Sequence, residues 1–523
     1  MTRDRSGVHR RARTRILRGY GPLAVGAALA VAMVVVVPSR IPDEIASAGD
    51  IAAREVPDGQ TASGWGTSVA PCGDHDEQVE GGYSPPCFDF AAGEDGNGGA
   101  TARGVTADEI TVSYRLTSDP NVMTLLARLT GMTIDASNDD LIRTAEGLIE
   151  YFNRNYQFYG RRLVLRGYDG RGSLLSELFG GGQEDATNDA LRVVDEIGAF
   201  ADVSALSQPY ADALARQQVM NFGAPYLSQE WFTDRRPYSW SSTPDCTGVS
   251  EGASEFANKQ LLGRPATYAG GDLAGRPRKM AIIAPNNLEY QQCVDAGLRV
   301  IEDAGNHMAE RLQYVLDMTQ TETQAPTLVA RLKAQQITSV AFAGDPLMLL
   351  ALAKEANAQN YHPEWLIIGA GFVDLDLVGQ LIQASAPGQW DRAFGGSPLA
   401  SQPAPIGSEA YNAYKSVRDD EPSLLVDVIY YQLLPLALGV QMAGPDLTPE
   451  NFETGLFAYP GGTGTAGTWD WSPHHYTPVI DLREIWWDPD RRSPFNGAPG
   501  TYADNGQRYR IGELPEGDPE VFQ

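Results

Sequence analysis

Ser207, Gln208 and Tyr210 stand just past a short apolar run, Val203 to Leu206. Hydroxyl and amide groups with free backbone N–H at such a strand end can hold a carboxylate or an amide. The plainer alternative is a turn that caps the helix beginning near Pro209. Ser228 and Gln229 follow the next apolar run, Ala224 to Leu227, in the same kind of position. Further along, Tyr290 opens a helical run, where its plainer role is the first core residue of that helix. Asp345 and Asp374 each lie past an apolar run and are the acidic candidates for a ligand ammonium group.

Other motifs are weaker. Gly462, Gly464 and Gly467 spell GxGxxG, but Thr468 to Trp471 continues as strand-like aromatic sequence and not as the helix a dinucleotide site needs. His474 and His475 are adjacent, so they point apart in extended chain and read as surface histidines. Trp469, Trp471, Trp486 and Trp487 read as core aromatics before they read as a sugar platform. No GxSxG, HExxH or P-loop is present. The cysteines form no CxxC pair with a nearby His cluster, so neither a metal nor a cofactor is expected.

The elements that position these residues centre on Arg278 to Gly305. Met280 to Ala284 is a short apolar run suited to a strand buried on both faces, Asn286 and Asn287 break it, and Tyr290 to Ala304 has helical spacing that Gly305 stops. The unit then repeats: strand Leu312 to Leu316, helix Thr327 to Gln335, strand Ser339 to Ala343, helix Pro346 to Gln359, strand Trp365 to Ile368. An earlier series has strands at Ile110 to Leu116, Leu163 to Tyr168, Val203 to Leu206 and Ala224 to Leu227, with helices at Leu141 to Tyr156, Ala186 to Gly198 and Ala211 to Phe222. Strands joined by such helices run parallel with right-handed crossovers, and the ligand crevice of such sheets lies past the strand carboxyl ends. Two series imply two lobes, and the candidate residues lie at those ends, as do Thr117 to Asp119 and Asp169 to Gly172.

With 523 residues the chain is long enough for two cores and appendages. A formal charge of −27 excludes nucleic acid as a natural partner, since phosphate binding needs concentrated Lys and Arg. The first residues are the exception: Arg3 to Arg18 is rich in arginine and precedes the uncharged run Leu23 to Val37, the order of an export signal or a single anchor. Ala46 to Ala48 offers a cleavage site, so the bulk is expected outside the membrane, in contact with it only through this segment. Four cysteines fit that compartment. Gly49 to Gly104 reads as a tether around one small loop bracketed by Cys72 and Cys87.

Phe200 to Gln229, with SQPYADALARQQ and then GAPYLSQ, resembles the first lobe of type I periplasmic binding proteins, the Leu/Ile/Val-binding-like family. The strand–NNLEY–helix unit resembles the start of that family's second lobe, VDVIYYQLLPLALGVQMAGPDLTPENFETGL its returning helix, and GTGTAGTWDW its closing turn and strand. The resemblance spans Val105 to Asp488 and implies two Rossmann-like α/β lobes with parallel sheets joined by a three-strand hinge. It places the crossings near Ser242 to Cys246, Ile368 to Gly371 and Gly444 to Asn451. The first lobe is then 105–245 with 371–445, the second 246–370 with 446–490, after a signal or anchor at 1–48 and a tether at 49–104. The stretch 491–523 is left as a surface tail. Cys246, at the start of the second lobe, and Cys293, in the first turns of the helix after its opening strand, should sit near one end of that sheet and pair.

What the family does is then implied for this chain: non-enzymatic capture of a small polar solute, an amino acid, amide or related compound, between Ser207, Gln208, Tyr210, Ser228 and Gln229 on one lobe and Tyr290, Asp345 and Asp374 on the other. Delivery to an ABC-type permease is implied with it. Amino-acid-binding relatives carry an acidic residue near the start of the GAGFVD segment, where this chain has Ala370 and Gly371. A sensor on the same scaffold, and an extracellular enzyme using His474 or His475, are the alternatives.

Overall fold

Residues 78–79, 81–88, 96–117, 137–317, 319–399, 404, 406–423 and 425–523 are described by a computed structural model of the chain. The export segment, Cys72, Ser118 and Asp119 lie outside the described residues. Among those described, two α/β series fold as two sheets. The first contains β1 (Glu109–Leu116), β2 (Arg162–Asp169), β3 (Ala201–Asp202), β4 (Met220–Phe222) and β5 (Ser239–Trp240), all parallel, in the order β2-β1-β3-β4-β5. The second begins with β6 (Met280–Pro285), β7 (Glu310–Tyr314), β8 (Ser339–Phe342), β9 (Glu364–Ile367) and β10 (Ala393–Ser397), again parallel, in the order β7-β6-β8-β9-β10. Each sheet therefore reverses its strand order once, beside its first strand, and such switch points are where open α/β sheets hold ligands.

The opening unit folds as its residue pattern requires. In β6, Ala281 and Ile283 enter the core on one face of the second sheet, while Met280, Ile282 and Ala284 enter the core on the other. That is the period-two division of a strand covered on both sides. Helix Leu288–Asp303 follows, and Cys293 in its second turn is disulfide-bonded to Cys246 at the start of helix Cys246–Phe256, with a Cα–Cα distance of 5.5 Å. Gly297 lets these helices approach: a Cβ there would meet the Ser250 carbonyl oxygen at 3.0 Å and the Ser254 hydroxyl at 2.8 Å.

Several expected boundaries move. Helix Gln208–Arg216 ends early because Gln218 takes a left-handed backbone, φ +58°, so the chain turns into β4 where a helix to Phe222 was expected. The strands expected at 203–206 and 224–227 lie instead at 201–202 and 220–222, and β5 has no counterpart in the sequence reading. Pro225, which lacks an N–H, interrupts the later of these runs.

The chain also stays in the second lobe beyond residue 371. β10 pairs with β9, and a Cβ on Gly395 would lie 2.0 Å from the Ile367 carbonyl oxygen, so only glycine permits this pairing. The return to the first lobe therefore follows Pro398. Helix Val426–Ala443, helix Pro449–Phe457 and the hairpin of β11 (Gly462–Gly464) and β12 (Gly467–Trp469) all belong to the first lobe, so the last crossing falls near Thr477 to Ile480 instead of 444–451. There Ser241 N–H donates to the Tyr476 carbonyl (3.3 Å) and the Thr477 hydroxyl to Asp245 (2.8 Å), which binds the first and third crossings together.

The expected surface tail is part of the second sheet. β13 (Asp481–Arg492) runs antiparallel to β10, β14 (Pro499–Asp504) pairs with β13, and β15 (Tyr509–Arg510) pairs with its start. Leu514 and Val521 are buried in the same lobe. Part of the expected tether is also fixed: Tyr83 packs tilted against Trp469, 4.4 Å between ring centroids, and donates to the Gly467 carbonyl (2.7 Å). Trp469, Trp471, Trp486 and Trp487 are buried core residues, and the GxGxxG glycines form the hairpin.

Candidate functional site

Arg115 projects from the end of β1 at the switch point of the first sheet. Its guanidinium makes a two-pronged contact with Glu177 (2.9 and 2.8 Å) and a third bond to Asp189 (3.3 Å). It also lies 3.6 Å from the centroid of the Tyr210 ring. Burial acts to lower the Arg115 pKa, but the Glu177 bond together with the charges of Glu177 and the neighbouring Tyr210 and Tyr168 holds the pKa above its usual value. Asp189 in turn accepts from the N–H groups of Arg171 (2.8 Å) and Gly172 (2.9 Å). Gly170 and Gly172 make room for this cluster, since a Cβ at 172 would come within 2.3 Å of a Glu177 oxygen.

Ser207, at the start of helix Gln208–Arg216, donates its hydroxyl to Glu177 and has no exposed surface. Gln208 beside it is half-buried. Tyr210 is turned into the lobe: its hydroxyl donates to Asp202 (2.9 Å) and shares a bond with Tyr168 (2.7 Å). Asp202 also accepts from Ser113 (2.6 Å) and Ser204 (2.8 Å), and burial raises its pKa against these bonds. The sequence reading gave Tyr210 to the ligand, whereas its position here is that of a support beneath Ser207 and Arg115.

Three loops converge on the second lobe. Asp345 caps helix Pro346–Ala358, accepting from Leu347 and Met348 N–H (3.0 Å each), and its other oxygen accepts from the Tyr314 hydroxyl (2.6 Å). Its cap role follows from the Asp-Pro pair at the helix start. Burial raises the Asp345 pKa, opposed by those bonds, and Tyr290 is raised first by burial and then by the neighbouring Asp345 carboxylate. Gly371, at φ +66°, sits so close to Gly344 that a Cβ would lie 2.1 Å from its carbonyl oxygen. That contact brings the Gly369 to Asp374 loop beside Asp345. Asp374 is fully buried, accepts from Ser397 through Oδ2, and has a pKa raised by burial.

The lobes meet across these loop ends. The Ser228 hydroxyl accepts from Trp231 N–H and donates to Gln292 of the second lobe (2.8 Å), whose amide donates to Glu230 (2.8 Å). The Tyr226 ring sets edge-on against Phe372, 4.8 Å between centroids. Phe179 of the first lobe packs against the core of the second. Gln229 instead faces the hinge side, donating to the His474 carbonyl (2.9 Å) and contacting His475 (3.1 Å). Both histidines are exposed.

The sequence reading missed Arg115, Glu177, Asp189, Phe179, Tyr226 and Gln292. Arg115 and Glu177 are 62 positions apart, so no local pattern announces their pairing. A signal for Tyr226 was available in GAPYLSQ, where it stands two positions before the Ser228 and Gln229 already selected.

No family model and no curated protein matches the sequence. Solved structures do. A Leu-, Ile-, Val-, Thr- and Ala-binding protein from Brucella ovis, in its closed conformation, matches with a TM-score of 0.54 at 13% identity over 79% of this chain and 98% of that one. An ABC transporter substrate-binding protein from Sphaerobacter thermophilus gives 0.52 at 16% identity over 79% and 99%. A solute-binding protein of an ABC transporter from Rhodopseudomonas palustris HaA2, in complex with p-hydroxybenzoic acid, gives 0.52 at 11% identity over 76% and 98%. With two doubly wound sheets, the first parallel and the second parallel through β10 with an antiparallel edge, joined by three crossings, the chain has the α/β fold of the type I periplasmic solute-binding proteins.

Proposed function

We propose that this chain is an extracytoplasmic solute-binding protein that closes its two lobes on a small polar molecule and hands it to an ABC-type importer. The observation that carries this reading is the meeting of polar loop ends from opposite lobes, above all Ser228 with Gln292. Each lobe supplies half of the contacts, so the closed state is favoured when a ligand bridges them. The paired crossings at Asp245 and Thr477 provide the hinge.

Ser207, Gln208 and Ser228 would line one wall, with Tyr290, Asp345 and Asp374 opposite. Asp345 already accepts three hydrogen bonds, which leaves it less suited to a ligand ammonium than its charge suggests. Ala370 and Gly371 offer no carboxylate for one either. Both points favour an amide, hydroxylated or acidic solute over an α-amino acid. The similar proteins range from an amino-acid binder to one in complex with p-hydroxybenzoic acid, so the fold accommodates both solute classes.

Small molecules released from the purified protein by denaturation can be identified by mass spectrometry and returned to wild type and to Tyr290→Ala in a calorimeter. Tyr290→Ala should bind them more weakly by about 1 to 3 kcal/mol, the usual cost of truncating an aromatic anchor. Wild-type affinity in that variant would remove Tyr290 from the site, and the absence of any released or bindable solute would overturn the reading itself.

A further inference from the structure

Tyr226 lies on the loop after β4 in the first lobe, and Asp374 on the loop after β9 in the second. Phe372, two residues before Asp374, carries the ring that meets Tyr226. Tyr226 and Phe372 both adopt left-handed backbone, at φ +53° and +59°. Bulky residues pay about 1 to 2 kcal/mol for that conformation, and it persists where the surroundings impose it, often at ligand clamps. The contact is thus a built feature of the lobe interface.

Two polar atoms inside it have no partner among the described residues. Asp374 is 2% exposed and Tyr226 8%. Asp374 Oδ2 is taken by Ser397 and the residue's own peptide N–H lies beside the carboxylate, but Oδ1 has no hydrogen-bond partner, and the Tyr226 hydroxyl is likewise unpaired. The Phe372 peptide N–H lies beside the Tyr226 oxygen, but it is itself a donor, so the phenol proton still lacks an acceptor. Buried polar groups of this kind are normally satisfied, because each one left bare costs about 1 to 3 kcal/mol.

A single group that serves both must accept from Tyr226 and donate to Asp374 Oδ1. An ammonium only donates and a carboxylate only accepts, whereas a hydroxyl does both at one oxygen. The charge of Arg483, which pairs with Asp504, also favours the Asp374 carboxylate, so a second cation is not needed to compensate its charge. Resting on the solute-binding reading, we propose that the ligand carries a hydroxyl group that sits between Tyr226 and Asp374.

The direct test is a high-resolution crystal structure of the protein as purified, with the same preparation analysed by mass spectrometry. The expected result is a hydroxyl oxygen of a bound organic molecule about 2.7 to 3.0 Å from both Tyr226 and Asp374 Oδ1. A water in that position, a direct Tyr226–Asp374 bond, or any other ligand group there overturns the proposal. If an organic molecule nevertheless lies between the lobes, the solute-binding reading survives that result; a cleft without one counts against both.

Tyr226→Phe supplies a second readout. Because it removes an unpaired buried donor, the ligand-depleted variant should be as stable as wild type or more so, while the molecules extracted from wild type bind about tenfold more weakly, as expected for one lost hydrogen bond. Lower ligand-free stability with unchanged affinity would make the hydroxyl merely structural and overturn the proposal.

Discussion

Glu177→Ala should destabilise the protein by about 3 to 5 kcal/mol, the range for removing one partner of a buried ion pair. The side chains of Arg115 and Glu177 are 1% and 0% exposed, so water cannot replace the lost carboxylate. The variant leaves Arg115 with Asp189 alone and strips Ser207 of its acceptor. Changing both partners should behave differently. In Arg115→Met with Glu177→Leu, Asp189 loses its cation but keeps its backbone donors at Arg171 and Gly172, so part of the loss should be recovered because Arg115 and Glu177 no longer leave each other unpaired. Chemical denaturation of the two single variants and the double variant decides the matter. Additive losses would show that the pair is not coupled as the geometry requires.

The second large effect is expected from the Cys246–Cys293 bridge. It closes a loop of 47 positions, and in the chain-entropy model such a crosslink stabilises a fold by about 4 kcal/mol, less whatever strain it carries. Both cysteines are buried, at the contact of the two helices that cover one face of the second sheet beside the first crossing. The double variant Cys246→Ser, Cys293→Ser should therefore unfold at lower denaturant concentration, with the loss centred on the second lobe in hydrogen exchange. An unchanged midpoint would contradict that expectation.

These two cases mark what could be read from the chain. The disulfide was legible because each cysteine sat at a recognisable element end, Cys246 at a lobe boundary and Cys293 one turn into a helix after a buried strand. The strand–turn–helix at Met280 to Asp303 was legible for the same reason: apolar run, breaker and helical period agreed. The ion pair was not, because it joins two distant loops and neither residue is unusual locally. β10 was hidden by its composition, AFGGS, whose glycines weaken a strand signal although the close contact with Ile367 demands them. β14, PGTYAD, was similarly masked by turn residues at both ends, and so the last 33 positions looked like a tail. Reading resemblance in place of pairing then carried the second and third crossings to the wrong positions. Tyr226 and Asp374 differ again: both lie in legible loops, but that the Tyr226 hydroxyl and Asp374 Oδ1 are buried without partners where Tyr226 meets Phe372 is a property of the packed lobes alone.

The central claim is that the lobes close around a solute. Small-angle X-ray scattering of protein stripped of ligand by partial unfolding and refolding, before and after the extracted small molecules are returned, tests it most directly. The account predicts a larger radius of gyration for the stripped protein and a return to the compact value on addition. Identical scattering in both states, with the extracted molecules still binding at wild-type affinity, would contradict it.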